Sequence, residues 1–142
     1  MVKYLIKNKA DLDVADGYPL IIACSIGNIE VVKLLVENGA NIMVRDNRGY
    51  MEACKSGNLE IVRYLLLQGV DINTSYGSAL HYARSIMNKD LQIYLIESGV
   101  KTDKAARHRF GKDEKIFEYI DNHKGKKDLT TILYIKDYLQ SL

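Results

Sequence analysis

The stretch VVKLLVENGANIMV, residues 31–44, returns 30 positions later as IVRYLLLQGVDINT, residues 61–74. Two further copies keep the same register, VKYLIKNKADLDV at 2–14 and LQIYLIESGVKTDK at 91–104. Self-similarity at a period of about 20–50 residues is typical of repeat architectures, in which neighbouring units bury one another's apolar faces. The sequence therefore predicts a stack of 30-residue units.

Each copy carries the pattern of an amphipathic helix. Val32, Leu35 and Val36 have the spacing i, i+3, i+4, which places them on one face of a helix. Gly39 follows this run, and Gly69 has the same place in the next copy. Helices commonly end at a residue with positive φ, which glycine adopts without steric cost. We predict an outer helix in each unit that ends at this glycine.

A shorter element precedes each outer helix. Ala23, Ala53 and Ala83 occupy the same place in successive units, and Pro19 and Gly27 bracket the first of these elements. Proline is favoured at the first position of a helix, and the distance to the glycine allows about two turns. A helix this short is unstable alone. We predict an inner helix that is stabilised only by burial between successive units.

These two elements together resemble the ankyrin repeat family, whose consensus is G-x-TPLH-x-A-A-x-x-G followed by an outer helix ending in LL-x-x-GA-D-x-N. The matching residues are Ser78, Leu80, His81 and Ala83 in the first half, and Leu34, Leu35, Gly39, Ala40 and Asn41 in the second. The resemblance implies an all-α solenoid of stacked helix-turn-helix units with short loops. It also implies a scaffold that binds another protein, and a structural bond between the ring of His81 and the hydroxyl of Ser78.

The repeats depart from the family pattern in two ways. Their 30-residue period is shorter than the roughly 33 residues of the family, so we expect the projecting β-turn finger to be trimmed. This shorter variety resembles the ankyrin repeats of amoeba-infecting giant viruses, which implies a host-directed factor of a virus or parasite in the host cell cytoplasm. In addition, Met87 replaces the glycine between the two helices of a unit, and we expect a looser or differently shaped corner there.

We predict that residues 1–142 form one ankyrin-repeat domain. Its parts are a half repeat at 1–15, repeats at 16–45, 46–75 and 76–103, a degenerate repeat at 104–124 and a C-terminal capping helix at 128–141. The half repeat leaves the apolar face of Val2 and Leu5 partly uncovered. We expect a monomer, with end-to-end association through this face as the alternative.

Composition excludes several classes of protein. The chain has 142 residues, 47% of them hydrophobic and 27% charged, which are globular values. A net charge of +2 is too balanced for a surface that binds nucleic acid or anionic lipid throughout. No apolar run reaches the roughly 20 residues that span a bilayer, and charges come too early for a signal peptide. We expect an intracellular, cytoplasmic protein without a membrane partner.

Candidate catalytic chemistry is sparse. His81, His108 and His123 are the only histidines, and none shares a recognisable motif with a nucleophile. Cys24 and Cys54 have equivalent positions in adjacent units; we expect them to lie beyond the Cα separation of about 7 Å that a disulfide allows, and to stay reduced. No spacing suggests a metal site or a phosphate-binding loop. We predict a protein that is not an enzyme and has no cofactor.

Partner contacts are expected on the concave face formed by the inner helices and at the loop tips beside it. There the resemblance places the residues that vary among family members, and an apolar and aromatic patch with a polar rim is typical of a protein interface. The predicted partner-binding residues are Asp16, Tyr18, Ser25, Ile26, Asp46, Arg48, Lys55, Ser56, Ser75, Tyr76, Ser85 and Ile86.

An alternative comes from the distribution of charge. Residues 101–127 hold nine Lys and Arg against five Asp and Glu, whereas residues 1–100 hold ten against eleven. Spaced cations neutralise a polyanion without reading its sequence. This segment could therefore bind nucleic acid or an acidic partner, or simply be a solvated face. The residues of this basic patch are Lys101, Lys104, Arg107, Arg109 and Lys112.

Overall fold

The computed structural model describes residues 14–100 of the chain, except for the side chains of 14, 15 and 76. All regular structure in this range is helical and no strand occurs in it, which confirms the predicted all-α class. The chain divides into two compact units, Met1–Asp71 and Ile72–Leu142. The six helices are α1 (Val14–Ile26), α2 (Ile29–Glu37), α3 (Val44–Ser56), α4 (Leu59–Leu67), α5 (Thr74–Ser85) and α6 (Lys89–Glu97).

Each pair of helices is joined by a short corner in which an asparagine begins the second helix. The side chain of Asn28 accepts a hydrogen bond from the backbone N–H of Val31, and Asn58 and Asn88 accept equivalent bonds from Ile61 and Leu91. Such caps satisfy backbone donors that have no partner within the helix. The recurrence of asparagine once in every repeat thus sets where each outer helix begins.

The outer helices α2, α4 and α6 end as their glycines predict. Gly39 has a φ of +96°, and the N–H groups of Gly39 and Ala40 donate to the carbonyls of Val36 and Leu35 at 3.0 Å. Gly69 and Gly99 repeat this arrangement. These bonds satisfy the last carbonyls of each helix, so the predicted helix ends are confirmed.

The core is built from positions that recur with the repeat. Leu35, Leu65 and Leu95 are each exposed by 3% or less. Tyr50 is fully buried, because it occupies in the second repeat the place that leucine has in its neighbours. Each repeat therefore buries its own apolar residues between its inner and its outer helix, as the spacing predicts.

Successive repeats stack closely in the first unit, where α1 packs against α3 and α2 against α4. A Cβ atom added to Gly49 of α3 would lie 3.2 Å from Sγ of Cys24 in α1, so the absence of a side chain allows this close approach. The side chain of Asn58 also donates to the carbonyl of Gly27 in the preceding repeat, at 3.3 Å. In the second unit α5 packs against α6.

The corner at Met87 does not have the different shape that its sequence suggests. Met87 has a φ of +56°, and Asn88 N–H donates to the carbonyl of Ala83 at 2.9 Å. The corner at Gly57 has the same bond, from Asn58 to Ala53. Because the surrounding hydrogen bonds are retained, the methionine is held in the left-handed region at a steric cost.

A left-handed turn leads into the inner helix of the second repeat. Arg45, Asp46 and Asn47 have φ angles of +50°, +53° and +60°, and Asp16 and Ser75 have similar angles near the start of the other inner helices. The prediction of a two-turn inner helix that begins at Pro19 is wrong, because α1 begins at Val14 and holds Pro19 inside it. The expected trimming of the β-turn finger stays a prediction. The predicted degenerate repeat 104–124 and capping helix 128–141 lie outside the described residues, as does nearly all of the half repeat 1–15.

Candidate partner-binding site

The inner helices of the first unit expose a row of the predicted residues. Tyr18 and Ile26 of α1 have 53% and 75% of their surface exposed. Ser25 lies exposed between them, and Arg48 and Ser56 are exposed on α3. Apolar side chains at such exposure contribute nothing to the core, so this row is available to a partner.

A groove of about 380 Å³ lies between α1 and α3. Its apolar wall comes from α1, and its charged wall comes from α3, including the left-handed turn near the start of that helix. The sequence places the two walls in successive repeats, and the stacking of inner helices brings them together. The lining residues are Tyr18, Ile21, Ile22, Ser25, Arg45, Arg48 and Glu52.

The charged wall is organised around the carboxylate of Glu52. Its Oε1 atom lies 2.8 Å from Nε of Arg48 in an ion pair and accepts a hydrogen bond from Nζ of Lys55 at 3.1 Å. The side chain of Glu52 is only 17% exposed, whereas that of Arg48 is 51% exposed. Helical pairs of this kind stabilise a protein by only about 0.3–0.5 kcal/mol. Their main effect here is to orient the arginine at the rim of the groove.

A second ion pair joins the turns of two successive repeats. Nη2 of Arg45 lies 3.1 Å from Oδ2 of Asp16, and both side chains are more than half exposed. A pair so exposed to solvent adds little stability. It does, however, place one carboxylate beside the second arginine that lines the groove.

Ser56 is engaged with the backbone, since its hydroxyl lies 3.2 Å from the carbonyl of Ala53 and 3.5 Å from that of Cys24. Asp46 is exposed in the left-handed turn. Neither residue lines the groove, and neither do Asp16, Ile26 or Lys55. The structure therefore brings only three of the predicted residues, Tyr18, Ser25 and Arg48, into one cavity.

The predicted residues of the second unit lie on α5 and just after it. Ser75, Ser85 and Ile86 are exposed, and the hydroxyl of Ser85 donates to the carbonyl of Tyr82 at 2.8 Å. Ile86 is 42% exposed. The backbone of Tyr76 belongs to α5, and its side chain is outside the described part of the chain. These residues remain predictions.

Four lining residues were missed by the sequence prediction, namely Ile21, Ile22, Arg45 and Glu52. Glu52 had a local signal, because it lies four residues after Arg48 and three before Lys55, spacings that bring side chains together on a helix. The two isoleucines had no such signal in the sequence. An inner helix buries most of its apolar residues, and the periodicity does not distinguish residues of the core from residues that line the groove.

The remaining candidate chemistry is structural in character. Cys24 and Cys54 are buried free thiols, and burial raises the pKa of each from 9.0 to about 12. A thiol that stays protonated is a poor nucleophile. The hydroxyl of Ser78 donates to the carbonyl of Ser75, and the ring of His81 lies 5.7 Å from that of Tyr82. The predicted bond between His81 and Ser78 stays a prediction.

Two further features bear on function within residues 14–100. No group of three or more His, Cys, Asp or Glu side chains there could hold a metal ion. None of the helices in this range is long and apolar enough to span a bilayer. The basic patch of Lys101, Lys104, Arg107, Arg109 and Lys112 lies outside the described residues.

Paired helices that stack at a fixed period define a helical repeat protein. The family model described as "Ankyrin repeats (3 copies)" matches residues 1–46, and the model described as "Ankyrin repeat" matches residues 49–74. The chain belongs to the ankyrin repeat family. Members of this family generally mediate protein–protein interaction and are typically non-enzymatic scaffolds. Searches of curated proteins and of solved structures found no match.

Proposed function

We propose that this protein is a non-catalytic scaffold that binds a partner protein through the groove between α1 and α3. The observation that carries the proposal is the groove itself, which combines exposed Tyr18 and the isoleucines of α1 with the oriented Arg48 of α3. Tyrosine and arginine are the residue types that most often anchor protein interfaces. The groove is held by packed helices, so little conformational entropy is lost on binding.

Further predicted contact residues lie at the C-terminal ends of the two helices that form the groove. Ile26 lies at the end of α1, and Lys55 and Ser56 lie near the end of α3. The rim of an interface is generally polar and partly wet, whereas its centre is apolar. The proposal assigns the central contact to Tyr18 and the peripheral contacts to these flanking residues. Ser75, Tyr76, Ser85 and Ile86 of the second unit are candidates for an additional contact.

We extend the proposal to a monomeric, host-directed factor of a virus or parasite that acts in the cytoplasm. The support is the 30-residue period, which resembles that of the ankyrin repeats of giant viruses. The test of this extension is the same as that of the main proposal, because it predicts that the partner comes from the host.

The experiment is affinity capture from an amoeba lysate with the full chain as bait. Tyr18→Ala should lose the captured protein, because it removes the anchor of the apolar wall. Leu67→Ala is the matched control, since Leu67 is 82% exposed on α4 and lies outside the groove. Proteins captured equally by Tyr18→Ala and by the unchanged chain would contradict the proposed site.

A second candidate function is binding of nucleic acid or an acidic partner through the basic patch. The observation that favours it is the excess of four positive charges in residues 101–127. Nuclease treatment of the lysate separates the two candidates. Capture through the groove should survive the treatment, whereas capture bridged by nucleic acid should disappear.

A further inference from the structure

The salt bridge between Arg48 and Glu52 involves only one nitrogen of the guanidinium and leaves the Arg48 side chain half exposed. The carboxylate engages Nε at 2.8 Å, and within residues 14–100 no acceptor is bonded to the two Nη nitrogens. An arginine carries five N–H donors in a planar fork, and its Nη edge matches the two oxygens of a carboxylate. Arg48 is thus oriented by one carboxylate and able to bind a second.

A partner that covered this arginine with apolar groups alone would bind poorly. The side chain of Arg48 is half exposed, so its charge is hydrated in the free protein. Removing that water without supplying an acceptor is costly. The occupant of the groove must therefore bring a hydrogen-bond acceptor to Arg48, and a negatively charged one makes the strongest bond.

The opposite wall favours an apolar group. Ile21 is 7% exposed and Ile22 is half-buried beside it, while Tyr18 offers an exposed ring. These residues lie on α1, across the groove from the charged residues of α3. An occupant with an apolar residue next to an acidic one would satisfy both walls at once.

The charges around the groove do not suit a polyanion. Arg48 is already paired with Glu52, and Arg45 is paired with Asp16. A nucleic acid strand presents a phosphate at every nucleotide and needs several unpaired cations. A single carboxylate, by contrast, needs only the two Nη nitrogens of the half-exposed Arg48.

We propose that the groove between α1 and α3 binds a linear peptide segment of the partner protein in which a large apolar residue adjoins an internal Asp or Glu. The apolar side chain packs against Tyr18, Ile21 and Ile22, and the carboxylate forms a bidentate bond with Arg48. This inference rests on the proposed function and specifies the chemistry of the partner at the same site.

The test begins with selection of a phage-displayed library of random dodecapeptides on the full chain. We expect the enriched peptides to carry Leu, Ile, Phe, Trp or Tyr beside Asp or Glu. One enriched peptide is then synthesised with an acetylated N-terminus and an amidated C-terminus, so that its only carboxylates are side chains. Its affinity for the chain is measured by fluorescence anisotropy.

A double-mutant cycle locates the carboxylate. Replacing the acidic residue of the peptide by its amide should weaken binding to the unchanged chain by about tenfold or more. The same replacement in the peptide should have little effect on its affinity for the Arg48→Gln variant. Arg48→Lys keeps the charge without the fork and should show an intermediate loss. Arg63→Gln, an exposed arginine on the outer helix α4, is the matched control and should bind as the unchanged chain does.

Several outcomes overturn the inference, and they are separable from failure of the proposed function. If the enriched peptides need Tyr18 but lack an acidic residue, the carboxylate assignment is wrong and the proposal of partner binding still stands. The same holds if the amide replacement weakens binding equally in the unchanged chain and in the Arg48→Gln variant. A peptide that binds only with a free C-terminus, a library with no enriched peptide, or an oligonucleotide that binds through Arg48 also overturns the inference. Peptides that bind Tyr18→Ala unchanged contradict the groove in both proposals.

Discussion

At the scale of single residues, the corner between the two helices of each repeat requires a positive φ angle, which most residues other than glycine adopt at a cost. Gly27 and Gly57 supply the corners of two repeats with a residue suited to φ angles of +86° and +74°. The third corner has Met87 at +56°. A residue with a Cβ atom costs about 1–2 kcal/mol in this region. The corner keeps its shape because its neighbours are held by the same hydrogen bonds.

Met87→Gly should therefore stabilise the protein by about 0.5–1 kcal/mol. The methionine side chain is 83% exposed, so its removal loses little packing, and the strain at positive φ is relieved. Urea unfolding followed by circular dichroism measures the change. Arg63→Gly is a useful contrast, because Arg63 is exposed in the middle of α4, where glycine should lower stability. A Met87→Gly variant that is less stable than the parent would show that the corner is not strained.

Because its two cysteines are buried, we expect the folded protein to lose stability as the pH rises above about 9. Burial raises the pKa of Cys24 and Cys54 from 9.0 to about 12, so the folded state holds these protons more tightly than the unfolded state. Their contribution is complete below about pH 9 and is lost as the pH rises towards 12. The urea midpoint should therefore fall between pH 9 and 11. A variant with both cysteines changed to alanine should show a smaller fall, and an equal fall would assign it to other groups.

At the scale of helices, the recurring asparagines show how one residue type can act within a repeat and between repeats. Asn28 caps α2, and its side chain is exposed. Asn58 caps α4 and also donates to the carbonyl of Gly27 in the preceding repeat. The first role is local to the helix, whereas the second couples neighbouring helix pairs. A Cβ atom at Gly27 would lie 2.9 Å from Nδ2 of Asn58, so this coupling depends on the glycine.

Asn58→Ala should cost about 1–3 kcal/mol, because it removes a cap and a half-buried hydrogen bond. Asn28→Ala removes only the cap and should cost about 1 kcal/mol. Thermal unfolding of the two variants gives the comparison. If both variants lose the same stability, the bond to Gly27 contributes nothing between the repeats.

At the scale of the whole molecule, the groove and the excess of basic residues belong to different parts of the chain. The groove belongs to the first two inner helices, and the excess of basic residues belongs to residues 101–127. The two predicted modes of binding respond differently to salt. Displacement of counterions makes nucleic-acid binding fall steeply as salt rises, whereas burial of apolar surface responds weakly.

Raising the salt from about 50 to 200 mM should weaken partner binding through the groove by less than about tenfold. Binding of duplex DNA through five cations would weaken by roughly 500-fold over the same range. Anisotropy titrations with the selected peptide and with a DNA duplex make the comparison. If the affinity for the peptide fell steeply with salt, charged contacts rather than the apolar wall would supply most of the binding energy.

The amino-acid sequence was sufficient to predict the repeat, the ends of the outer helices and the core, but not the start of the inner helix α1, which begins at Val14 and not at Pro19. Leu35, Leu65 and Leu95 recur with the same spacing, and Gly39 and Gly69 end their helices where expected. These features are local, because burial of one helix face and the freedom of glycine at positive φ are both expressed within a few residues. The family resemblance followed from the same pattern.

Only the tertiary structure decided which exposed residues form a site. Ile22 and Glu52 face one groove although they belong to successive repeats, and the period that puts them in equivalent positions does not distinguish groove from core. It also could not indicate that Glu52 orients Arg48 through Nε, or that Met87 keeps a left-handed corner. These are properties of packing between helices, where side-chain direction and the hydrogen bonds of neighbours override what each residue favours alone.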